Sequence, residues 1–330
     1  MVTAAGKGSV RALYILGEDP AMTDPDLNHV RRCLDAAEFI VLQEIFPSET
    51  SAYADVLLPG SSFAEKDGTF TNTERRVQLV RKAIEPLGEA CSDWSVIADV
   101  ARTLIELEGT RAIGPHAGWE YQHPEQIMEE IAALVPQYAG VSHARLRNGD
   151  QLQWPVNDVT HAGTPILHRE QFACGKGRFH PADYLEPAER PDKEYPFLLT
   201  TGRVLYHWHG GELTRRVAGL TELCAEAYVE LHPTDAAKLG VIDTEPIRLA
   251  SRRGQMTARA FVTTRVTQGV VFGNFHFPAA ENVNNLTNAA LDPIAKIPEY
   301  KACAVRVERL DVEEAGQVKR PIGPAVRGPV

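Results

Sequence analysis

The chain has 330 residues, is 44% hydrophobic and 24% charged, and carries a formal net charge of −10. That length accommodates two domains with real cores, and the composition is that of a folded protein. The acidic balance excludes a nucleic-acid coat, which needs a basic surface, but leaves room for a local basic pocket that takes a small anionic molecule.

In chain order, Val10–Leu16 is a short apolar run closed by Gly17-Glu18-Asp19-Pro20, which predicts a strand and a turn. Leu27, Val30, Leu34 and Ala37 then recur at helical spacing, with Asp24 before Pro25 as the expected cap. Phe39–Phe46 reads as a second strand, Glu49–Val56 as a short helix and Val56–Gly60 as a third strand. Strand, helix, strand, helix, strand predicts a parallel sheet. Residues 94–107 predict an amphipathic helix capped by Asp93. From about 111 to 193 the periodicity fades, apart from one helix at Pro124–Val135, and the stretch is expected to be a connector that wraps other structure. From Tyr195 the pattern turns to short strands. Ser251–Gln255 predicts a hairpin turn, Thr234 and Gly240 bound a short helix, and a compact β-barrel is expected. The end, rich in proline, glycine and charge, predicts a flexible tail.

The five cysteines, Cys33, Cys91, Cys174, Cys224 and Cys303, form no C-x-x-C pair and no cysteine–histidine cluster at zinc spacing, so no iron–sulfur cluster and no metal site is expected in this chain. No apolar run approaches the roughly 20 residues of a membrane helix, and the start lacks a signal-peptide pattern, so a cytoplasmic protein without membrane or nucleic-acid partners is expected. Standard catalytic motifs are missing too, which points to a chain built to hold something and predicts no catalytic residues.

Ligands of open α/β sheets sit beyond the carboxyl ends of the strands. That singles out Gly17, whose loop offers backbone N–H groups to a phosphate although its acidic side chains would repel one; their competing role is to cap the next helix. It also singles out Glu44, whose carboxylate can accept both adjacent donors of a guanine, with Ser48 and Thr50 nearby for a ribose or phosphate; the competing reading is a solvated Glu at a sheet edge. In the second half, Arg203, Tyr206, His207, Trp208 and His209 crowd one loop that combines charge, donors and stacking faces suited to a flat heterocycle. His276, Asn282, Asn284, Asn285, Tyr300 and Lys301 gather further on, the asparagines suited to a pterin edge and the lysine to a phosphate.

The segments ALYILGEDP, VLQEIFPSETSAYADVLLPGSSFAEKDGTFTNTERRVQ, DWSVIADVA, LTTGRVLYHWHGGELT and VNNLTNAALDPIAKIPEYKACAVRVE, in this order, closely resemble the carboxyl-terminal half of the formate dehydrogenase catalytic (alpha) subunit, in the dimethyl sulfoxide reductase family of molybdopterin oxidoreductases. The resemblance implies a Rossmann-like parallel layer at 1–112, a connector at 113–194, a double-psi dinucleotide-binding barrel at 195–312 and a tail at 313–330. It implies molybdenum or tungsten held by two pyranopterin guanine dinucleotides and the oxidation of formate to carbon dioxide. Gly17, Glu44 and Ser48 become expected nucleotide contacts, and Arg203, Leu205, His207, Trp208, His209, Asn284, Tyr300 and Lys301 expected contacts to pterin or phosphate. The family's cluster-binding cysteines, metal-ligating residue and formate-handling histidine and arginine belong to an amino-terminal half whose motifs are missing here. That half, or other formate dehydrogenase subunits, is therefore the expected partner, and the chain alone is expected to be inactive. The alternatives are a stand-alone cofactor-binding or assembly module, or the same family with another substrate, as in nitrate reductase or the large subunit of a respiratory complex. Within FAEKDGTFTNTERRVQ the family turn implies that Glu65, Asn72 and Arg75 satisfy one another in a crowded polar interior.

Overall fold

A computed structural model describes residues 1–109 and 118–310, so the expected tail at 313–330 lies outside the described residues. The fold is mixed α/β and contains two compact units that are not linear in sequence. The first joins residues 1–42, 47–56 and 184 onward, and the second comprises 43–46 and 57–183.

The first unit begins with helix α1 (Val2–Gly6), strand β1 (Ala12–Leu16), and helices α2 (Pro20–Thr23) and α3 (Leu27–Asp35). Strand β2 (Phe39–Glu44) and, after a 3-10 turn at Glu49–Tyr53, strand β3 (Val56–Pro59) complete a three-stranded parallel sheet in the order β1-β2-β3, with Gln43–Glu44 of β2 and Leu57–Pro59 of β3 counted in the second unit. The anticipated helix at Glu49–Val56 is thus a single tight turn. Period-two burial turns Leu13 inward and leaves Tyr14 and Leu16 exposed. The helical spacing in α3 puts Val30 and Leu34 into a small core with Leu13, Ala21 and Ile40. Its cap is Asp26 and not Asp24: Asp26 adopts the left-handed conformation at φ 52° and its carboxylate accepts from the His29 N–H at 3.3 Å.

The rest of the first unit is a closed six-stranded barrel of β6 (Phe197–Gly202), β7 (Tyr228–Leu231), β8 (Pro246–Ala250), β9 (Gln255–Val262), β10 (Val270–Asn274) and β11 (Cys303–Arg309), in the order β10-β6-β11-β8-β9-β7. β6 pairs with β10 in parallel, as does β7 with β9, and the other pairs are antiparallel. Alternating residues fill the interior: Phe197 and Leu199 from β6, Ile247 and Leu249 from β8, and Met256, Ala258 and Ala260 from β9, whose small alanines leave space for the larger side chains opposite. The expected hairpin joins β8 to β9. Helix α8 (Pro233–Leu239) ends at Gly240 as anticipated, with φ 66°, but it is capped by His232, whose Nδ1 accepts from the Thr234 N–H at 3.2 Å. A further short helix, α7 (Ala218–Leu223), lies between β6 and β7.

The second unit holds a hairpin the periodicity did not announce, β4 (Gly68–Thr71) with β5 (Val77–Val80), together with α4 (Asp93–Glu108), α5 (Pro124–Leu134) and α6 (His143–Arg147). Ser92, not Asp93, is the N-cap of α4, and the Asp93 carboxylate instead pairs with Lys66 and accepts from Gln43 Nε2 at 2.9 Å. Val77, Met128, Val141, Leu152 and Val156 form its core, so the weakly periodic stretch has packing of its own. The expected Glu65–Asn72–Arg75 network is absent. Glu65 accepts from the N–H groups of Ser62 at 2.8 Å and Leu87 at 3.2 Å. Arg75 donates to the carbonyls of Trp154, Thr164 at 2.9 Å and Pro165 at 3.0 Å, and Asn72 Oδ1 accepts from the Arg76 N–H at 2.9 Å. The correction follows from backbone accounting: loop carbonyls and capless N–H groups are the more numerous unmet partners, and each charged group turns to those.

No helix among the described residues is long and apolar enough to cross a membrane.

Candidate functional site

Within the first unit, the loops that follow β1 and precede the 3-10 turn at Glu49 meet the barrel loops 203–216 and 276–288. The hinge of the first two is Asp19, which is buried. Its carboxylate accepts from the Thr50 N–H at 2.8 Å, the Thr50 hydroxyl at 2.6 Å and the Glu49 N–H at 3.3 Å, and Thr50 Oγ1 accepts in turn from the Ala21 N–H at 3.1 Å. Asp19 makes no side-chain cap to α2. The Asp19 carboxylate is therefore turned to holding the second loop, while Glu18 next to Gly17 stays exposed, so only part of the electrostatic objection to an anion there is answered. Gly17 has φ 61°, and a Cβ there would meet nothing within 4 Å, so its backbone borders open space.

The barrel clamps the same loop from its own asparagines. Asn282 Nδ2 donates to the Met22 carbonyl at 3.0 Å, Asn284 Nδ2 donates to the carbonyls of Met22 and Thr23 at 3.2 Å each, and the Tyr300 hydroxyl donates to the Thr23 carbonyl at 3.0 Å. Lys301 Nζ donates to the Thr201 carbonyl. His207 is buried, with Nε2 against the Cys224 carbonyl at 2.7 Å and Nδ1 against Thr214 Oγ1 at 3.1 Å. Asn284, Tyr300, Lys301 and His207 were expected to reach a ligand; in the structure each gives at least one polar atom to the frame. His207 and Asn284 are buried and Tyr300 is half-buried, next to loop carbonyls that need donors, whereas Lys301 is exposed and bonds a carbonyl of strand β6.

Arg203, Leu205, Trp208 and His209 stand open. Leu205 is 89% exposed and Trp208 58% exposed; both are large apolar side chains at a loop tip. The Arg203 guanidinium lies 4.4 Å from the Trp208 ring centre, and Trp208 stacks on His209 at 4.7 Å. A stacked cation–indole–imidazole stair of this kind presents a flat face and a positive edge. His209 itself sits at φ 47°, a strained conformation for a residue with a Cβ. Glu44 counts with the second unit, where its Oε1 accepts from the Ile45 N–H at 2.7 Å and its carbonyl from the Gly60 N–H at 3.0 Å.

Four buried groups of the first unit keep unused hydrogen-bonding capacity: Ser48 Oγ, Glu212 Oε1, Arg215 Nε, and both amide atoms of Asn274. Burial raises the Glu212 carboxyl and lowers the Arg215 guanidinium from their ordinary values, although each also favours the other's charge. His276 is held in one neutral tautomer, Nε2 accepting from the Val204 N–H at 2.8 Å and Nδ1 donating to the His209 carbonyl, and burial pushes its pKa down to about 4. Of these groups, sequence reasoning overlooked Glu212, Arg215 and Asn274. The signal for Asn274 was legible, an amide inside the apolar run Val270–Phe277. Orphaned buried polar atoms are rare in native proteins. Several in one unit, which also carries exposed stacking faces, suit a ligand that brings both flat rings and many oxygens and nitrogens, which is the chemistry of a pyranopterin nucleotide.

Comparisons with known proteins agree with that chemistry. Residues 1–103 match the molybdopterin oxidoreductase family, and residues 197–304, the barrel, match the molydopterin dinucleotide binding domain. The chain is similar to the F420-dependent formate dehydrogenase subunit alpha of Methanocaldococcus jannaschii, 46% identical over 312 residues that cover 94% of this chain and 45% of that protein. It is also similar to the assimilatory nitrate reductase catalytic subunit of Bacillus subtilis, 36% identical over 316 residues that cover 93% and 43%. In fold it is similar to the acetylene hydratase from Pelobacter acetylenicus, with a TM-score of 0.67 at 15% identity over 94% of this chain and 46% of that one. The chain thus spans about half the length of the curated relatives it matches.

Proposed function

The chain belongs to the molybdopterin oxidoreductase family, and from that membership we propose that it is the carboxyl-terminal portion of a formate dehydrogenase catalytic subunit, in which it holds a pyranopterin guanine dinucleotide. The observation that carries the reading is the set of unsatisfied buried groups, Ser48, Glu212, Arg215 and Asn274, in the unit whose barrel matches the dinucleotide-binding domain. The two parallel strand pairs in the closed barrel support its assignment as a double-psi barrel, and β1-β2-β3 supports a Rossmann-like layer.

When bound, the molybdenum or tungsten of the dithiolene group supplies the two-electron redox chemistry that takes formate to carbon dioxide. The residues of this chain bind and orient. The Gly17 backbone and Ser48 Oγ offer donors to the phosphate and ribose. Arg203, Trp208 and His209 give a charged edge and stacking faces to the pterin, and Leu205 excludes water. Arg215, with Glu212 and Asn274, completes the polar lining. His207, Asn284, Tyr300 and Lys301 hold these loops in place, and the neutral His276 fixes the carbonyl of His209.

The test is co-expression of the chain with an amino-terminal half of a formate dehydrogenase. Copurification, restored molybdenum or tungsten content and formate-dependent dye reduction are the expected results; the absence of any association removes the proposal. The nitrate reductase relative, at 36% identity, motivates a second substrate arm. Nitrate-dependent dye oxidation without formate activity would keep the cofactor reading and replace the substrate.

A further inference from the structure

In the second unit, far along the chain from the barrel loops, His123, Glu125 and His143 bring one ligand atom each to within 4.8 Å of one another. His123 is the N-cap of α5, Glu125 lies in its first turn, and His143 is the first residue of α6. We infer that His123, Glu125 and His143 form a site for a divalent cation of the zinc class, which ties the start of α5 to the start of α6.

Two imidazoles and a carboxylate are a donor set such cations favour, and a fourth position would be left for water. His143 is only 3% exposed, its ring packs edge-on against His123 at 5.9 Å, and no hydrogen bond to either of its ring nitrogens is found among the described residues. A metal ion would give a nitrogen of this largely buried ring a protein-held partner. The nitrogen and oxygen donors of a tetrahedral site lie roughly 3.4 Å apart, so closure needs an inward shift of about one ångström from side-chain rotations. Burial lowers the His143 pKa, which keeps the ring neutral and ligand-ready, and Arg147 beside Glu125 keeps that carboxyl below its ordinary range.

Three forces oppose binding. Arg147 already pairs with Glu125, His123 Nδ1 accepts the Glu125 N–H at 3.2 Å as a helix cap, and two helix starts disfavour a cation. The Arg147 side chain is 49% exposed and can turn to water, and one cap bond is small beside three metal bonds.

The experiment is calorimetric titration of Zn2+ into the chelator-treated full chain, with Cys91 and Cys174, both exposed thiols, replaced by serine to remove adventitious sites. One equivalent should bind with micromolar or tighter affinity, and Co2+ should give the visible bands of a tetrahedral nitrogen–oxygen site. His123→Gln and His143→Gln should each weaken binding at least about tenfold, whereas Arg147→Gln, which removes the competing cation, should strengthen it. If His143→Gln fails to fold, the less buried His123 and Arg147 variants decide. Absence of saturable stoichiometric binding, or His123→Gln binding like the parent, overturns the inference. Because the readout is metal uptake in the second unit, its failure is distinct from any failure of formate oxidation.

Discussion

Asn284 Nδ2 donates to the Met22 carbonyl at 3.2 Å, joining a barrel loop to the end of α2 across 262 positions of sequence. The same amide reaches the Thr23 carbonyl, and Asn284 Oδ1 accepts from the Thr287 hydroxyl at 3.2 Å, so the whole side chain is engaged. Asn284→Ala removes these bonds but leaves the Met22 carbonyl its Asn282 donor and the Thr23 carbonyl its Tyr300 donor, so it should cost only about 1–1.5 kcal/mol, read as a lower midpoint in urea unfolding. Asn284→Asp, which cannot donate, should be no better than alanine.

Asn274 predicts the opposite sign. It is fully buried, and neither amide atom has a partner. Asn274→Leu should leave the isolated chain as stable or raise its stability by about 1 kcal/mol, while lowering cofactor retention in the reconstituted enzyme. A clear loss of stability in the isolated chain would mean the amide has a structural role, and its part in the ligand reading would fall.

For Glu65 and Arg75 the structure predicts independence. Their partners differ, so Arg75→Ala alone should cost about 2 kcal/mol through three lost carbonyl contacts. Its combination with Glu65→Gln should be additive within about 0.5 kcal/mol. A double-mutant cycle with a larger coupling would restore the direct pairing that the family turn suggested. Hydrogen bonds from the Ser62 backbone and side chain lower the Glu65 carboxyl, so its contribution is present above the unfolded carboxylate pKa and is lost as the pH falls through the folded one.

His276 supplies a second pH dependence. Its folded pKa is depressed to about 4, against an ordinary value near 6.5. The unfolded chain therefore binds the proton more readily: the stabilisation is fully present above about 6.5 and declines as the pH falls toward 4, by about 3 kcal/mol in all. Urea midpoints measured from pH 7 to 4 should fall less steeply for His276→Gln than for the parent. Equal slopes would show that the ring titrates normally in the fold.

Much of the architecture was readable from the residues. The alternation in Phe197–Gly202 and Gln255–Val262 encodes barrel strands because a pleated strand faces its core every second residue, and the stripe Leu27, Val30, Leu34 encodes α3 because a helix returns to the same face every three to four. The hairpin Gly68–Thr71 with Val77–Val80 was not readable, since its strands are four residues each and half-exposed. Arg203 and Trp208 were legible as charge and stacking surface crowded into one loop, whereas the exposure of Leu205 and Trp208 came only from the structure.

The sequence by itself determined what depends on near neighbours: the barrel strands, α3, the glycine stop of α8 and the density of chemistry in residues 203–214. Tertiary structure alone decided which polar groups are spent and which are left over. Asp19 finds Thr50, Asn284 finds Met22, and His207 finds Cys224, while Asn274 and Arg215 Nε find nothing among the described residues. The reason is physical: a backbone carbonyl exposed by a loop is indistinguishable in sequence from any other, and only folding brings it within reach of a distant donor.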